Sequence, residues 1–524
     1  MGCISRMRGG RAGGDATGCG WRPEERREGS LNIRIMKKII FVLLLLAAVF
    51  RGEAQLGVHY DPTVQAKDGI QYFKPVGNLF VGDCIPFYHD GTYYLYWLLD
   101  SAHHAALGGL GGHQWALSTS TDLKTWKHYP LVLGIDESWE KSICTGSVVF
   151  DKGKFYAFYA TRLIDANGKV NEQLSYAISD DGIHFVKQMP NPFYTSAPGY
   201  NKRNFRDPKV VVDADGVFHL FVASAWESAP TADKGALVHL TSKDLKTWTV
   251  LSPLIYGQGD VPECPDYFLW NGWYYIIYGR GGNTYYLKSR HPYGPWEYPR
   301  YQTLNEDWVN VAKTAEFTHG RRVVAGWVPN RKGGVDNGRE IFGGNIVLRE
   351  LSQEADGTLN TFWPAEVIPA VGASVQPTAV YDSLIMRHAA DSYTIRSAGG
   401  LDAVFFRDVP ADCKITFDAD PRGLPEEYGC FLRADSNAAH GYRLSFSPDN
   451  KTVALAETSI TAVDGLDKKV RVQIIMKGDI IDVCVGNKRC IDDRLYEQKG
   501  ASLGFYAKHG TVDFSSIRIE PLTH

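Results

Sequence analysis

Three acidic residues, Asp83, Asp207 and Glu263, each stand directly before an apolar strand pattern, at equivalent points of a repeating sequence. Carboxylates in Asp-Gly turns, such as Asp90 and Asp215, represent the ordinary solvated case. Hydrolysis of a glycosidic bond needs two carboxyl groups, one to protonate the leaving oxygen and one to attack the sugar carbon or activate water. A third carboxylate can hold hydroxyls of the distorted ring. The three residues therefore predict a catalytic site for glycoside cleavage.

The repeating sequence consists of strands joined by tight turns. Asp-Gly and related turns between alternating apolar runs are a strong hairpin signal. Such hairpins recur at 87–97, 148–159, 211–221 and 267–276, with a weaker copy at 316–327. Each of the first four is followed by a second repeated unit, which reads Asp-Leu-Lys-Thr-Trp at 122–126 and 244–248. A strand-only repeat of this kind is typical of a β-propeller, and five copies predict five blades, whereas a single large sandwich would not need both units.

The pattern changes near residue 371. Tryptophan is absent beyond that point, and alternating strands at 470–476 and 480–485 flank a Lys-Gly-Asp turn, which predicts a β-sandwich. The predicted fold class is all-β: a five-bladed β-propeller over 69–369, followed by a C-terminal β-sandwich over 371–524. The innermost strands of a small propeller point their side chains into a central funnel, where ligands bind.

The composition excludes several classes of protein. The 524 residues are 44% hydrophobic and 22% charged, which is too apolar for a disordered chain and long enough for two domains. A formal net charge of −3 lacks the basic field that a nucleic-acid-binding protein needs. We therefore expect an oligosaccharide or polysaccharide as the partner, no nucleic acid and no cofactor.

The N-terminal part predicts export. An apolar run at 39–50 follows Lys37 and Lys38 and is too short to span a bilayer. It is typical of a secretory signal peptide over 36–54, which predicts a secreted or periplasmic protein, and no other segment is apolar enough to span a membrane. Residues 1–35 lack apolar periodicity and are predicted to be an unfolded upstream extension. Seven cysteines follow the signal without a Cys-x-x-Cys pair, so neither a zinc motif nor a disulfide framework is indicated.

The motifs around the carboxylates resemble those of glycoside hydrolase family 32, which includes invertases, levanases and inulinases. Arg206-Asp207-Pro208 resembles the family's Arg-Asp-Pro motif, and Glu263-Cys264 resembles its Glu-Cys motif. The segments at 115–126 and 145–147 are similar to two further family elements. The resemblance implies a five-bladed propeller with a C-terminal sandwich and a reaction that retains configuration. It also implies that Asp83 is the nucleophile, Glu263 the acid/base and Asp207 the transition-state stabiliser.

The resemblance also suggests which residues contact the sugar, and it fails at one motif. The family's Trp-Met-Asn-Asp-Pro-Asn-Gly is replaced by 80–86, so that Gly82 and Ile85 stand where the family has two asparagines that help to hold fructose. The Gly-rich loop at 101–114 is a candidate for rebuilding this rim. We expect a set of residues that bind the substrate. For His113 and Gln114 the alternative role is hydrogen bonding to the loop backbone, and for the tryptophans it is packing in the core. The set comprises Arg206, His113, Gln114, Trp115, Ser147, Cys264 and Trp308.

The predicted function is that of an exported, retaining, exo-acting glycoside hydrolase for β-fructofuranosides or a related furanoside. One alternative is an inverting furanosidase or xylosidase similar to family 43. Carboxyl groups about 5–5.5 Å apart indicate retention, and a separation of about 6.5–9.5 Å indicates inversion. The other alternative is a non-catalytic glycan-binding protein on the same fold. No metal is expected, because His103 and His104 have no third ligand at a suitable spacing.

Overall fold

The computed structural model describes residues 57–64, 69–304, 309–380, 385–435 and 440–523, and Gln55–His524 form one compact unit. The predicted extension at 1–35 and the predicted signal peptide at 36–54 lie outside the described residues. Strands dominate the described part, which confirms the all-β prediction. One short helix spans Ala106–Gly109, and 3₁₀ turns occur at Pro62–Val64, Thr318–Gly320 and Ala365–Val367. Within the described residues, no helix is long and apolar enough to cross a membrane.

The propeller has five blades of antiparallel strands. Blade 1 contains β1 (Leu79–His89), β2 (Thr92–Ser101), β3 (Gln114–Ser120) and β4 (Lys127–Leu133), and blade 2 contains β5 (Ser142–Asp151), β6 (Lys154–Ile164), β7 (Val170–Ser179) and β8 (Val186–Lys187). Blade 3 contains β9 (Tyr200–Val212), β10 (Phe218–Trp226), β11 (Gly235–Ser242), β12 (Thr249–Val250) and β13 (Ile255–Tyr256). Blade 4 contains β14 (Glu263–Trp270), β15 (Trp273–Arg280) and β16 (Asn283–Ser289), and blade 5 contains β17 (Asn310–Phe317), β18 (Arg321–Arg331), β19 (Glu340–Gln353) and β20 (Leu359–Phe362).

The ring closes where blade 5 meets blade 1. Val81 of β1 pairs with Gly344 of β19, so the two blades share one hydrogen-bonded sheet. The first strands of successive blades contact one another around the axis. The propeller therefore has a continuous inner wall, built from the strand that opens each blade.

The repeated turns explain the sequence repeats in local terms. Asp90-Gly91 closes the β1–β2 hairpin with positive φ at both residues, which is the turn geometry that matches strand twist. In the second repeated unit, the carboxylate of Asp122 accepts hydrogen bonds from the backbone amides of Lys124 and Thr125, at 2.9 and 2.7 Å. Asp244 accepts the equivalent hydrogen bonds from Lys246 and Thr247 in blade 3. These aspartates hold turns and take no part in the funnel.

The C-terminal strands form one large antiparallel sheet that folds around its own apolar core. Its strands are β21 (Thr378–Val380), β22 (Met386–Ala389), β23 (Ser392–Arg407), β24 (Cys413–Arg422), β25 (Glu427–Ala434), β26 (Tyr442–Ser447), β27 (Thr452–Leu455), β28 (Thr458–Ile460), β29 (Val470–Lys477), β30 (Ile480–Val485), β31 (Arg489–Arg494) and β32 (Ser502–Pro521). The long strand β32 pairs with β23, β24 and β25 and so joins the two halves of the sandwich. Each of the seven cysteines in the described residues is a free thiol.

A buried ionic cluster connects the sandwich to the propeller. Arg349 of β19 is fully buried and donates from both terminal nitrogens to the carboxylate of Asp482 on β30, at 2.9 Å each. The same carboxylate accepts hydrogen bonds from the Tyr72 hydroxyl at 2.7 Å and the Trp363 indole at 3.2 Å. Arg494 of β31 donates to two backbone carbonyls of β18. Because breaking a buried pair costs about 3–5 kcal/mol, the two parts depend on each other for stability.

Candidate active site

All five blades contribute to one cavity of about 510 Å³. Its lining includes one residue from the first strand of each blade: Asp83, Thr145, Asp207, Glu263 and Asn310. The three predicted catalytic carboxylates therefore meet, although they are separated by up to 180 positions in the sequence. Cys264 and Arg206, two of the predicted substrate-binding residues, line the same cavity.

A shared irregularity in the inner strands places these side chains. Pairing shifts register in the first strand of every blade: at Val81–Cys84, Ile143–Gly146, opposite Phe221–Ala223, at Glu263–Asp266 and at Asn310–Lys313. Such bulges bend a strand and re-aim its side chains. Asp207 and Cys264 adopt positive φ, 56° and 48°, at these points. Non-glycine residues rarely adopt this conformation, and it is often found at functional sites.

Asp83 is the most tightly held of the three carboxylates. It is 8% exposed and accepts hydrogen bonds from the Thr145 hydroxyl and, at 3.1 Å, from the Trp327 indole. The Cys264 thiol lies 3.5 Å from the second oxygen. The Thr145 and Trp327 donors fix the direction of this carboxylate, which suits a nucleophile.

Asp207 is buried beside the same thiol. Its Oδ2 accepts the backbone N–H of Cys264 at 3.1 Å and lies 3.5 Å from the Cys264 sulfur. Burial raises the pKa of Asp207 to about 7, with contributions from Glu172, Asp83 and Glu263, while the Arg206 guanidinium acts in the opposite direction. The Cys264 thiol therefore lies between the nucleophile candidate and the stabiliser candidate, and it contacts these carboxylates, whereas the sequence placed it among the substrate-binding residues.

Glu263 is the accessible member of the three. Its side chain is 44% exposed, against 5% for Asp207, and it accepts a 2.5 Å hydrogen bond from Arg206 Nη2. Burial of its inner part raises the pKa of Glu263, and Asp83 and Asp260 add to the shift against the opposing charge of Arg206. A carboxyl group that faces solvent and holds its proton more strongly than usual suits a general acid.

The altered first motif changes the wall beside the nucleophile. A Cβ atom at Gly82 would lie 2.7 and 2.8 Å from two ring atoms of Phe342, so this ring occupies the space beside Asp83. Phe342 stacks on His113, with ring centres 4.7 Å apart, and packs against Trp327 at 4.9 Å. An aromatic surface therefore stands next to the position at which the family carries an asparagine.

Several predicted substrate contacts do not reach the cavity. Gln114 is buried and bonds the backbone at Val58 and Ile135, while Trp115 is fully buried in the core and donates to the Cys144 carbonyl. The Ser147 hydroxyl donates to the Pro208 carbonyl and accepts from the Val210 amide, both in the backbone of β9. The structure contradicts substrate contact for these three, because their polar atoms already have protein partners. Trp308 lies outside the described residues.

His113 does line the cavity, together with a neighbouring histidine that sequence reasoning did not assign. His113 Nε2 lies 3.1 Å from the Asp100 carboxylate. His104 follows two other residues with positive φ, Ala102 and His103, and this unusual run of backbone turns its ring toward the cavity. The loop at 101–114 therefore forms part of the rim, as expected.

Asp100, His104 and His113 each place a potential metal ligand atom within 4.8 Å of the others. Two further potential ligands therefore lie near His104, although the sequence spacing predicted no such group. Their hydrogen bonds oppose metal binding. Arg162 can only donate, so His104 Nε2 accepts its proton at 2.8 Å, while His113 Nε2 donates to Asp100. Burial lowers the pKa of His104 to about 4, so the ring is neutral and can accept this hydrogen bond. The cluster is best described as a hydrogen-bonded support for the rim.

Several lining residues carried no local signal in the sequence. They include Arg162, Glu172, Trp327 and Phe342. Each belongs to a strand or loop other than those that carry the catalytic motifs, and it reaches the cavity only through the pairing of strands within a blade. The Gly at position 82 was a signal for Phe342, because it marks a place where another group approaches the backbone.

Comparison with known proteins agrees with this geometry. The family model described as "Glycosyl hydrolases family 32 N-terminal domain" matches residues 84–332, beginning one residue after Asp83. Sucrose-6-phosphate hydrolase of Escherichia coli is 25% identical over 438 residues, covering 78% of this chain and 86% of the relative. A levanase of Bacillus subtilis is 30% identical over 246 residues, covering 45% of this chain and 33% of the levanase.

Solved structures match the fold over most of the chain. Fructan 1-exohydrolase IIa from Cichorium intybus has a TM-score of 0.63 at 15% identity, covering 86% of this chain and 97% of its own. Exo-inulinase from Aspergillus awamori has a TM-score of 0.64 at 18% identity, covering 88% and 99%. These matches confirm the predicted propeller-plus-sandwich fold. The family model over residues 84–332 and the sequence relatives identify the chain as a glycoside hydrolase that belongs to glycoside hydrolase family 32.

Proposed function

We propose that the protein is an exported exo-hydrolase that releases fructose from β-fructofuranosides with retention of configuration. The proposal rests on two carboxyl groups that line one cavity but have different surroundings. Asp83 is held by three donors, and Glu263 is accessible with a raised pKa. The names of the relatives, which include a levanase and a fructan exohydrolase, support a fructoside substrate.

In the first step an Asp83 oxygen attacks the anomeric carbon. The bond from that carbon to the leaving oxygen breaks, and Glu263 transfers its proton to the departing oxygen. The products are a glycosyl ester on Asp83, the free aglycone alcohol and ionised Glu263. The Thr145 hydroxyl bonds Oδ2 and the Trp327 indole bonds Oδ1 of the attacking carboxylate, and together they hold its orientation.

In the second step Glu263 removes a proton from water. The water oxygen bonds to the anomeric carbon as the ester bond to Asp83 breaks, which regenerates both carboxyl groups. Arg206, at 2.5 Å from Glu263, stabilises the ionised form that exists between the two steps. Asp207 is placed to bind sugar hydroxyls while charge develops on the ring.

Exo action is supported by the shape of the site. The cavity is a single space of about 510 Å³ with lining residues from all five blades, and the rim loop with His104 and His113 stands at one side. A single cavity that is lined from all five blades suits the end of a chain better than its middle. Export is supported by the signal-peptide pattern at 36–54. N-terminal sequencing of protein recovered outside the cytoplasm would test it, with a start near Gln55 as the expected result.

Product analysis tests the activity. The mature protein is incubated with sucrose, sucrose 6-phosphate, inulin, levan and aryl furanosides, beside Asp83→Asn, Glu263→Gln and the exposed turn variant Asp215→Asn. Release of free fructose by the wild type and Asp215→Asn, with loss of at least about a thousandfold in the two site variants, is expected. Release of a different sugar would keep the mechanism and remove the fructoside assignment. No release from any substrate would favour a glycan-binding protein.

Retention is tested by adding methanol as an acceptor. A glycosyl ester on Asp83 transfers the sugar to methanol with its original configuration, and NMR of the methyl glycoside reads that configuration directly. A methyl glycoside of β configuration from a β-substrate is the expected result. Sugar of inverted configuration in the earliest product would show single displacement and refute the double-displacement mechanism.

A further inference from the structure

A row of alternating charges runs along one wall of the cavity. His104 Nε2 accepts from Arg162 Nη1 at 2.8 Å, and Arg162 donates to Glu172 Oε1 from Nη2 at 2.7 Å and from Nε at 3.1 Å. The second oxygen of Glu172 lies 3.6 Å from Arg206 Nη1. Arg206 Nη2 then donates to Glu263 at 2.5 Å. The row joins the rim loop of blade 1 to the acid/base candidate of blade 4.

Glu172 is the centre of this row and faces both arginines. It lies on β7, is 8% exposed, and uses Oε1 for Arg162 and Oε2 for Arg206. Arg162 and Arg206 each have only 18% of the side chain exposed, so their mutual repulsion is weakly screened by water. A carboxylate between them cancels that repulsion and keeps both guanidinium groups in place.

The position of Arg206 matters because its other contacts are catalytic. Its Nε lies 3.4 Å from Asp207, and its Nη2 is bonded to Glu263. Without a third carboxylate, the whole of its charge would act on these two groups. The negative charge of Glu172 offsets part of the positive potential of Arg206, and it contributes to the raised pKa of Asp207.

We propose that Glu172 is a positioning residue for the acid/base: it holds Arg206 in a fixed place and limits the positive charge that Arg206 presents to Glu263. The proposal rests on the proposed function, because it concerns the group that gives up a proton in the first step. Arg162 and His104 continue the same row of hydrogen bonds to the rim loop.

The charged and titratable groups around Glu172 come from several elements. They are Arg162 on β6, Arg206 and Asp207 on β9, Glu263 on β14, Cys144 on β5, Asp83 on β1 and His104 on the rim loop. His104 is neutral, because its pKa is lowered to about 4, and burial raises the pKa of Cys144 to about 12. Near neutral pH the field at Glu263 is therefore set by the two arginines and the carboxylates. Removal of the Glu172 charge makes the potential around Arg206 more positive, and we expect it to lower the pKa of Glu263.

The test compares Glu172→Gln, Glu172→Asp and the wild type by the pH dependence of kcat/KM. The alkaline limb reports the group that must be protonated in the free enzyme. We expect Glu172→Gln to move this limb to lower pH by about one unit and to lower kcat/KM about tenfold at pH 7. Glu172→Asp keeps the charge and is expected to restore the position of the limb. Glu140→Gln is the matched control, because Glu140 is a buried, Lys187-paired carboxylate outside the cavity.

An NMR titration gives a readout that does not need turnover. The ¹³C carboxyl signal of Glu263, assigned by its loss in Glu263→Gln, is followed in folded wild type and Glu172→Gln. A titration midpoint about one unit lower in Glu172→Gln supports the proposal. An equal midpoint, or a uniform loss of kcat/KM without a shift of the limb, would leave Glu172 a purely structural residue. A wild type that cleaves no substrate but shows the NMR shift would refute the proposed function and keep the electrostatic role.

Discussion

Replacement of Gly82 by alanine tests whether Phe342 shapes the site. The added methyl group would lie 2.7 and 2.8 Å from two atoms of the Phe342 ring and 3.2 Å from Leu98 Cβ. Carbon atoms in contact prefer about 3.5–4.0 Å, so the overlap with the ring is about 1 Å. Something must move, and the ring is the group with room, because it is partly exposed to the cavity.

The cost of this overlap divides between stability and activity. Overpacking of a filled core costs about 1–3 kcal/mol, and escape of the ring into the cavity places the loss of stability at the low end, about 1 kcal/mol. The displaced ring gives up its stack on His113 and its contact with Trp327, the donor to Asp83. It also fills space beside the nucleophile. We therefore expect kcat/KM to fall at least about tenfold, which corresponds to about 1.4 kcal/mol.

Urea unfolding and steady-state kinetics measure the two effects. Gly69→Ala is the matched control, because a methyl group there meets nothing within 4 Å. The double variant Gly82→Ala/Phe342→Leu removes the overlapping ring atoms and is expected to recover stability and part of the activity. If Gly82→Ala retains wild-type stability and kcat/KM, or if the double variant is no better than the single one, the assignment of Phe342 to this space is wrong.

Three further changes probe other parts of the molecule. The pKa of Asp207 is about 7, above its ordinary 3.8, so the folded state keeps a proton that the unfolded state loses. The free energy of unfolding should therefore fall as pH rises from about 4 to 7. Urea titrations at several pH values measure this fall, and Asp207→Asn should remove it. His113→Ala removes the partner of buried Asp100 and should lower kcat/KM by about 10–100-fold, mostly through KM, while an unchanged KM would exclude a role at the rim. Arg349→Met leaves Asp482 buried without its cation and should cost about 3–5 kcal/mol, which an unchanged urea midpoint would contradict.

The catalytic carboxylates could be predicted because their signal is local. Asp83, Asp207 and Glu263 each open a blade, and a blade repeats within a few dozen residues, so phase alone brings them to one axis. The hairpin turns and the Asp-Leu-x-x-Trp units were equally visible, since each is held by bonds within four or five residues. The same signals predicted five blades and a change of fold near residue 371.

The supporting residues could not be found in this way. Glu172 meets Arg206 across two blades, and nothing near either residue in the sequence marks that contact. Trp115 and Ser147 lie inside family-like motifs, yet one fills the core and the other ties β5 to β9, because such motifs conserve packing as well as chemistry. Phe342 of β19 lies beside Gly82, the neighbour of the nucleophile, although nearly the whole propeller sequence separates the two residues.

The ionic cluster between propeller and sandwich has a consequence for how such chains change over generations. Arg349 and Asp482 neutralise each other's buried charge, and recombination that replaced the C-terminal sandwich would place the arginine against a foreign surface. A lineage that exchanged its sandwich would need to import the matching carboxylate in the same event. The propeller and the sandwich are therefore expected to be inherited together. A sandwich transplanted from another protein should give a folded chain only if that protein carries an acidic residue at the position of Asp482.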